Sequence, residues 1–378
     1  MPTVNASGPL QGAEHVGTDV VCLGESMVTF RPSRPGRLAD VPTFERGIGG
    51  AESNVACALA LAGHRARWVS RVGADGFGEH LISEIAACGV DTSAVVRDAS
   101  RPTGIYFRTA GERAVDRTSA TGLRPGPRSS NAGGAEFGAG NEPPAEVAYY
   151  RAGSAASAMA PGNIDPDSLA DGEILHVSGI TAALSADCLD LMRNLTAPRP
   201  GRPLVSFDVN YRVHLWADPA LAGPVLLDLA RGSDLVFVGE DEAEAAWGIT
   251  GGPAAVRAAL PEPRTLVVKQ GAQGATVFSG TEATYEPSLK VDVVASVGAG
   301  DAFAAGFLSA TLRGLTDSER LRHGHLMAAA ALLVPGDLGA PPARAEADRL
   351  AALPAEAWGT LRLGPDTIQT WAGEVVTT

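Results

Sequence analysis

The residues best suited to chemistry lie between Val291 and Leu315, in VDVVASVGAGDAFAAGFLSATLRGL. Val291, Val293, Val294 and Val297 read as the end of a buried strand, while Phe303, Phe307, Thr311 and Leu312 recur at helical spacing. Between the two runs stands Gly298-Ala299-Gly300. Glycines there let the backbone come close to a ligand, and the unpaired N–H groups of a helix's first turn face any anion at the strand end. Asp301 sits at the edge of this anion hole. It either caps the helix or acts as a general base beside a site that stabilises developing phosphate charge.

A second glycine-rich approach, Gly47, Gly49 and Gly50, leads into a helix marked by Val55, Leu59 and Ala62, with Asn54 in its first turns. Alone it is equally a plain turn or a ligand loop. Lys269-Gln-Gly-Ala-Gln-Gly follows the strand TLVV, and Gly271 and Gly274 fit a hairpin turn as well as the flank of a triphosphate, to which Lys269 adds charge. Three arginines accompany the β-prone segments: Arg108 in IYFRT, Arg151 in AYYRAGSAAS and Arg212 in FDVNYR. Singly each reads as a surface ion-pair donor; together they suit a sugar-acid carboxylate, which matches the guanidinium fork as a neutral hexose does not. His176 and His214 read as packing or surface residues, since no metal-ligand spacing joins them. Cys22, Cys57, Cys88 and Cys188 are scattered and read as thiols of a reducing compartment. Neither the Walker spacing nor protein-kinase HRD and DFG elements occur, so phosphate handling falls to the glycine turn and its helix.

The elements that must position these groups follow from the pattern of the chain. With 378 residues and 45% hydrophobic content there is ample material for a large core. A net charge of −13 weighs against nonspecific nucleic-acid binding, which depends on clustered Lys and Arg. No apolar run reaches membrane-span length and the first twenty residues lack a signal pattern, which predicts a cytoplasmic protein with a short polar leader over 1–19. From Ile174 onward the buried runs ILHVSG, LVSFDVNY, DLVFVG and TLVVKQG alternate with helical stretches. That alternation predicts an α/β fold, with crossover helices, a mainly parallel sheet and ligand sites at the strands' carboxyl ends. The N-terminal β segments lack crossovers and predict a separate small sheet. Residues 111–145, rich in Gly, Ser, Pro and Ala, predict a long mobile loop between TGIYFRT and EVAYYR.

GAGDAFAAGF resembles the C-terminal signature of the ribokinase-like (PfkB) sugar kinases, whose usual form is Asp-Thr-x-Gly-Ala-Gly-Asp; Ala295 and Ser296 stand here at its first two positions. Gly-Gly-Ala-x-x-Asn, ending at Asn54, and RVGADGFG from Arg71 resemble the N-terminal signature of the same family. The resemblance implies a ribokinase-like three-layer sandwich over residues 20–340, with a small β-sheet lid drawn from about 26–48, 103–110 and 146–152. Residues 111–145 are then an insertion in the lid, and 341–378 a C-terminal tail. ATP and Mg²⁺ are implied as cofactors, a monovalent cation is left open as a third, and the lid is implied as the contact of a homodimer.

By the same resemblance Gly298, Ala299 and Gly300 form the anion hole, Asp301 is the catalytic base, and Gly50 and Asn54 contact the sugar. Lys269, Gly271 and Gly274, with Gly298 and Gly300, lie beside ATP. Glu242 in GEDE helps organise magnesium, at the last position of an Asn-x-x-Glu motif whose asparagine is Gly239 here. YYRAGSA and DxNYR resemble the 2-keto-3-deoxygluconate kinase branch, which carries Tyr106, Tyr149, Arg151 and Arg212 over as sugar-acid contacts, with Arg108 as helper. The implied reaction is transfer of the ATP γ-phosphoryl group to the sugar acid's terminal 6-hydroxyl. The alternatives are a fructokinase-like or ribokinase-like kinase of a neutral sugar, and a sugar-binding or regulatory protein without turnover.

Overall fold

In the first strand Val20 and Cys22 face one side and Val21 and Leu23 the other, and all four are fully buried, so this strand is covered on both faces. The computed structural model describes residues 17–109 and 146–364, plus the backbone of two short strands at 367–369 and 375–377. The loop expected at 111–145 and almost all of the leader lie outside the described residues.

The chain begins with β1 (Thr18–Leu23), β2 (Met27–Pro32), β3 (Phe44–Gly49), α1 (Ala51–Leu61), β4 (Ala66–Val69), β5 (Arg71–Gly73), α2 (Gly76–Ala87), β6 (Val96–Asp98), β7 (Ile105–Arg108) and β8 (Val147–Tyr150). Crossovers follow: α3 (Pro166–Ala170), β9 (Gly172–Ser178), α4 (Gly179–Ala183), α5 (Ala186–Thr196), β10 (Leu204–Asp208), α6 (Pro219–Arg231), β11 (Leu235–Gly239), α7 (Glu240–Trp247), α8 (Gly252–Ala259) and β12 (Thr265–Lys269). The hairpin β13 (Gly274–Ser279) and β14 (Glu282–Pro287) precedes β15 (Lys290–Val291), α9 (Ala299–Leu312), α10 (Asp317–Leu332), α11 (Arg344–Ala351) and α12 (Ala355–Trp358). The short strands β16 (Arg362–Gly364), β17 (Thr367–Gln369) and β18 (Val375–Thr377) close the chain.

The large sheet runs β14-β13-β12-β11-β10-β9-β1-β4, parallel from β12 to β4 and antiparallel through the hairpin. One apolar layer joins Val20 and Cys22 to Val55 and Leu59 of α1 and to Phe303 and Phe307 of α9. The opposite layer joins Val21 and Leu23 to Leu191 of α5 and Leu226 of α6. Helices on both faces make the three layers. A third cluster, built on Leu326, Leu350, Trp358 and Leu361, packs part of the expected C-terminal tail against α10.

The small sheet runs β3-β2-β7-β8. Its alternation separates two faces: Thr29 pairs with Tyr106 and Tyr106 with Tyr149 on one, while Phe30 pairs with Phe107 on the other. One sequence expectation fails. Of the valine run before the glycine turn only Lys290–Val291 forms a strand, and Val293 and Val294 are 56% and 55% exposed. The run leaves the large sheet after β14, pairs at β15 only with β16, and so has no sheet to bury it. No helix among the described residues is long and apolar enough to cross a membrane.

Candidate active site

Gly298 starts α9 with φ 80°, and a Cβ there would lie 2.2 Å from the carbonyl oxygen of Asp337, so glycine is needed for conformation and for space. Ala299 and Gly300 open the helix, whose first-turn N–H groups lack intrahelical partners. Asp301 follows within that turn and accepts a 2.8 Å hydrogen bond from Asn54 Nδ2 on α1. Burial pushes the Asp301 carboxyl up to about 7, against the Asn54 bond, with Asp208 and Asp337 raising it further and Lys269 lowering it. A carboxyl so placed is half ionised near neutrality, which suits a general base. The other end of the Asn54 amide, Oδ1, is buried without a partner among the described residues. Gly50 is the N-cap of α1, in extended backbone that any residue adopts; its requirement is space, because a Cβ would lie 2.3 Å from the Glu25 carbonyl.

Lys269 ends β12 and its Nζ donates to both oxygens of Asp208, at 2.9 and 3.1 Å, from the end of β10. Gly271 and Gly274 lie in the β12–β13 hairpin turn at the same strand end, where Gln270 N–H donates to the Gly274 carbonyl. Glu242, in the first turn of α7, caps its helix by accepting from Gly239 N–H at 2.8 Å through Oε2, while its Oε1 lies 3.5 Å from Arg212 Nη1. Both of its oxygens are thus engaged within the protein. No group of three or more His, Cys, Asp or Glu side chains suited to a metal occurs among the described residues.

The inner face of the small sheet brings Tyr106, Arg108, Tyr149 and Arg151 together, whereas Arg212 stands beyond the end of β10, against Glu242 of α7. The Tyr106 and Tyr149 rings lie 5.4 Å apart, and Arg151 stands 5.9 Å from the Tyr149 ring centroid. Each candidate arginine already has a carboxylate partner: Arg108 holds Asp337 at 2.7 Å, Arg151 contacts Glu25, and Arg212 contacts Glu242. Tyr106 donates to the same Asp337 at 3.2 Å, so the loop carrying Asp337 touches Gly298 on one side and the small sheet on the other. Burial raises the Asp337 carboxyl above its ordinary range, partly offset by Arg108 and the Tyr106 bond. Glu25 also accepts from Ser154 at 2.7 Å.

Sequence reasoning missed Asp208, Glu25 and Asp337. Asp208 opens the DVNYR motif and Glu25 follows a strand-ending glycine, so strand-end position was the available signal for both; Asp337 in PGDLGA carried none. His176 is buried against Ser206, as its packing assignment expects, and burial lowers it to about 3. His214 stacks on Tyr149, with ring centroids 5.4 Å apart.

A family model described as pfkB family carbohydrate kinase matches residues 17–125 and 138–344. The chain is 34% identical over 330 residues to a 2-dehydro-3-deoxygluconokinase of Bacillus subtilis (strain 168), across 86% of this chain and 93% of the relative. It is 32% identical over 333 residues to a 2-dehydro-3-deoxygluconokinase of Thermoproteus tenax, across 88% and 93% of the two chains. Among solved structures, a 2-dehydro-3-deoxygluconokinase of Thermotoga maritima shares the fold with a TM-score of 0.73 at 24% identity, covering 90% of this chain and 100% of that one.

Proposed function

The chain belongs to the PfkB family of carbohydrate kinases and is an ATP-dependent sugar kinase, and on that premise we propose that it phosphorylates 2-keto-3-deoxy-D-gluconate on the terminal 6-hydroxyl. The products are 2-keto-3-deoxy-6-phosphogluconate and ADP. The observation that carries the substrate assignment is the inner face of the small sheet, where Tyr106, Arg108, Tyr149 and Arg151 gather around one side of the site, with the guanidiniums turned inward. A carboxylate bound there leaves the far end of a six-carbon chain to reach Asp301.

In this reading Asp301 takes the hydroxyl proton as the oxygen attacks the γ-phosphorus and the bond to ADP breaks. The backbone amides of Ala299 and Gly300 and the ammonium of Lys269 receive the charge on the transferring group. Asn54 holds the base by one end of its amide and offers the unpartnered Oδ1 to a sugar hydroxyl. Magnesium, when bound, would supply charge neutralisation for the nucleotide's phosphates, and Glu242 is the residue that would help hold it. Glu242, held by Arg212 and its own helix cap, suits contact with that metal's water shell rather than the metal itself.

The outer face of the lid supports a homodimer: Phe30, Phe44, Phe107 and Tyr150 form a continuous ring cluster on it, and Tyr150 is 64% exposed. Four free cysteines and the need for ATP favour the cytoplasm. A second reading, a neutral-sugar kinase, has one observation in its favour, the carboxylate already beside each candidate arginine. An ADP-release assay of purified protein across sugar acids and neutral hexoses and pentoses decides between them. We expect kcat/KM for 2-keto-3-deoxy-D-gluconate to exceed that for fructose or ribose by at least about 100-fold, the scale of one lost charge-assisted contact with its partner left buried. Equal or better use of a neutral sugar overturns the assignment.

A further inference from the structure

Asp208 and Lys269 are separated by a whole strand. They end β10 and β12, and β11 lies between, so their backbones stand about 9.6 Å apart, two inter-strand spacings. The lysine side chain must cross the end of β11, where the residue in register with it is Gly239, which has no side chain in the way. Its ammonium donates to both Asp208 oxygens and, among the described residues, to nothing else, although an ammonium has three N–H donors. The pair is asymmetric in exposure: the Asp208 side chain is 4% exposed and the Lys269 side chain 20%, so the acid is the more deeply held partner and the lysine reaches it with its ammonium end. That end lies 3.8 Å from where a Cβ on Gly300 would stand, at the mouth of the anion hole.

We propose that Asp208 is a positioning residue for phosphoryl transfer: it holds the Lys269 ammonium across the end of β11 so that the remaining N–H meets the terminal phosphate of the nucleotide. A lysine stem has four rotatable carbons, and a fixed carboxylate removes most of the freedom that binding would otherwise have to remove. The inference rests on the reading of the α9 start as a phosphoryl site. It assigns Lys269 to the third phosphate in particular, and it makes Asp208 act only through Lys269.

The test is a double-mutant cycle in nucleotide binding, read by calorimetry with magnesium and without sugar, comparing a non-hydrolysable imido analogue of ATP with ADP. K269M should weaken the triphosphate analogue at least about 10-fold, the scale of a charge-assisted hydrogen bond, and ADP less than about 2-fold. D208N should weaken the analogue several-fold in wild type and add less than about 2-fold on the K269M background. D208E and K269R, which keep the charges, should recover part of the loss, and equal melting temperatures across the set separate positioning from unfolding. Equal losses for analogue and ADP, or full additivity of D208N and K269M, overturn the proposal. Because no sugar is present, a protein that completes this cycle yet ignores every sugar acid refutes the substrate assignment alone. One that binds the analogue no better than ADP refutes the present inference.

Discussion

The two sides of the site treat charge in opposite ways. Around Asp301 burial does most to push the carboxyl up to about 7, and like charges are crowded there as well: Asp208 and Asp337 raise it further, while the Asn54 bond and Lys269 lower it. On the lid side unlike charges are paired, Arg108 with Asp337 and Arg151 with Glu25, while Arg212 pairs with Glu242 beside the large sheet. Burial and crowding tune a group that must exchange a proton, whereas pairing fixes groups that must keep one geometry. On the proposed reading the Asp301 side responds to pH through its own carboxyl, and the lid side responds through the charge its ligand brings.

The largest expected effect comes from removing the crowded group. D301N should lower kcat by roughly 10²-fold or more while substrate affinity stays near wild type, measured by steady-state kinetics and equilibrium binding. In the wild type kcat/KM should rise with pH through about 7 as the base deprotonates, and the residual activity of D301N should lose that limb. Stability carries the opposite sign. The folded chain holds this proton above the ordinary carboxyl value of 3.8, so Asp301 costs stability as pH rises from about 4 to about 7. The melting-temperature advantage of D301N over wild type should consequently be larger at pH 8 than at pH 5.

Breaking a pair on the lid side comes next. R151A should lower kcat/KM for the sugar acid by about 10- to 100-fold, and much less for a reduced analogue without the carboxylate. E25Q, which frees the guanidinium without removing it, should produce a smaller loss, seen mainly in KM. Equal losses on acid and analogue in both variants would remove Arg151 from carboxylate recognition.

Asp337 belongs to both sides, and D337N sharpens the comparison with a smaller effect. Losing its charge removes one influence that raises Asp301 and frees Arg108, so the acid limb of kcat/KM should move to lower pH. An unmoved limb would mean that the Asp301 environment is set without it. The smallest effect is expected at the lid's edge. Thr109 N–H donates to the Glu146 carbonyl at 2.9 Å, so the chain leaves and re-enters the lid between hydrogen-bonded neighbours. Replacing residues 116–141 with a short Gly/Ser connection should leave kcat and KM within about twofold, since closing a shorter loop across a fixed gap costs little. A large rise in KM for the sugar acid would make that segment part of the site.

The Asp301 side was the more legible in the sequence. Gly298 to Asp301 and Gly50 to Asn54 are local signals, because a helix start needs its turn and cap within a few residues. The Asn54–Asp301 contact, 247 positions apart, carried no signal in the sequence, and the family resemblance assigned the two residues only separately, to the sugar and to the base. The pairing partners were invisible for the same reason in stronger form. Asp337 meets Arg108 across 229 positions, Lys269 meets Asp208 across 61, and a lone carboxylate at a loop or strand end looks like any other. The valines at 293 and 294 misled because β propensity reports a fit to a half-buried sheet, and the chain had already left the sheet.

The paired arginines also determine what solvent must contribute when substrate arrives. An acid entering the lid meets guanidiniums that are already neutralised, so it adds a negative charge to a pocket holding the buried Asp337, whose carboxyl already retains its proton more readily than usual. Protonating such a carboxyl balances the extra charge, which is costly to leave uncompensated in a poorly solvated place. On the proposed substrate assignment, capture of the acid should therefore be accompanied by proton uptake. Calorimetric binding enthalpies measured in buffers of different ionisation enthalpy should diverge for the sugar acid and coincide for its neutral analogue. The lid would then act as an acid–base partner of its ligand, and affinity for the sugar acid should decline as the medium becomes more alkaline even while Asp301 becomes more fully ionised.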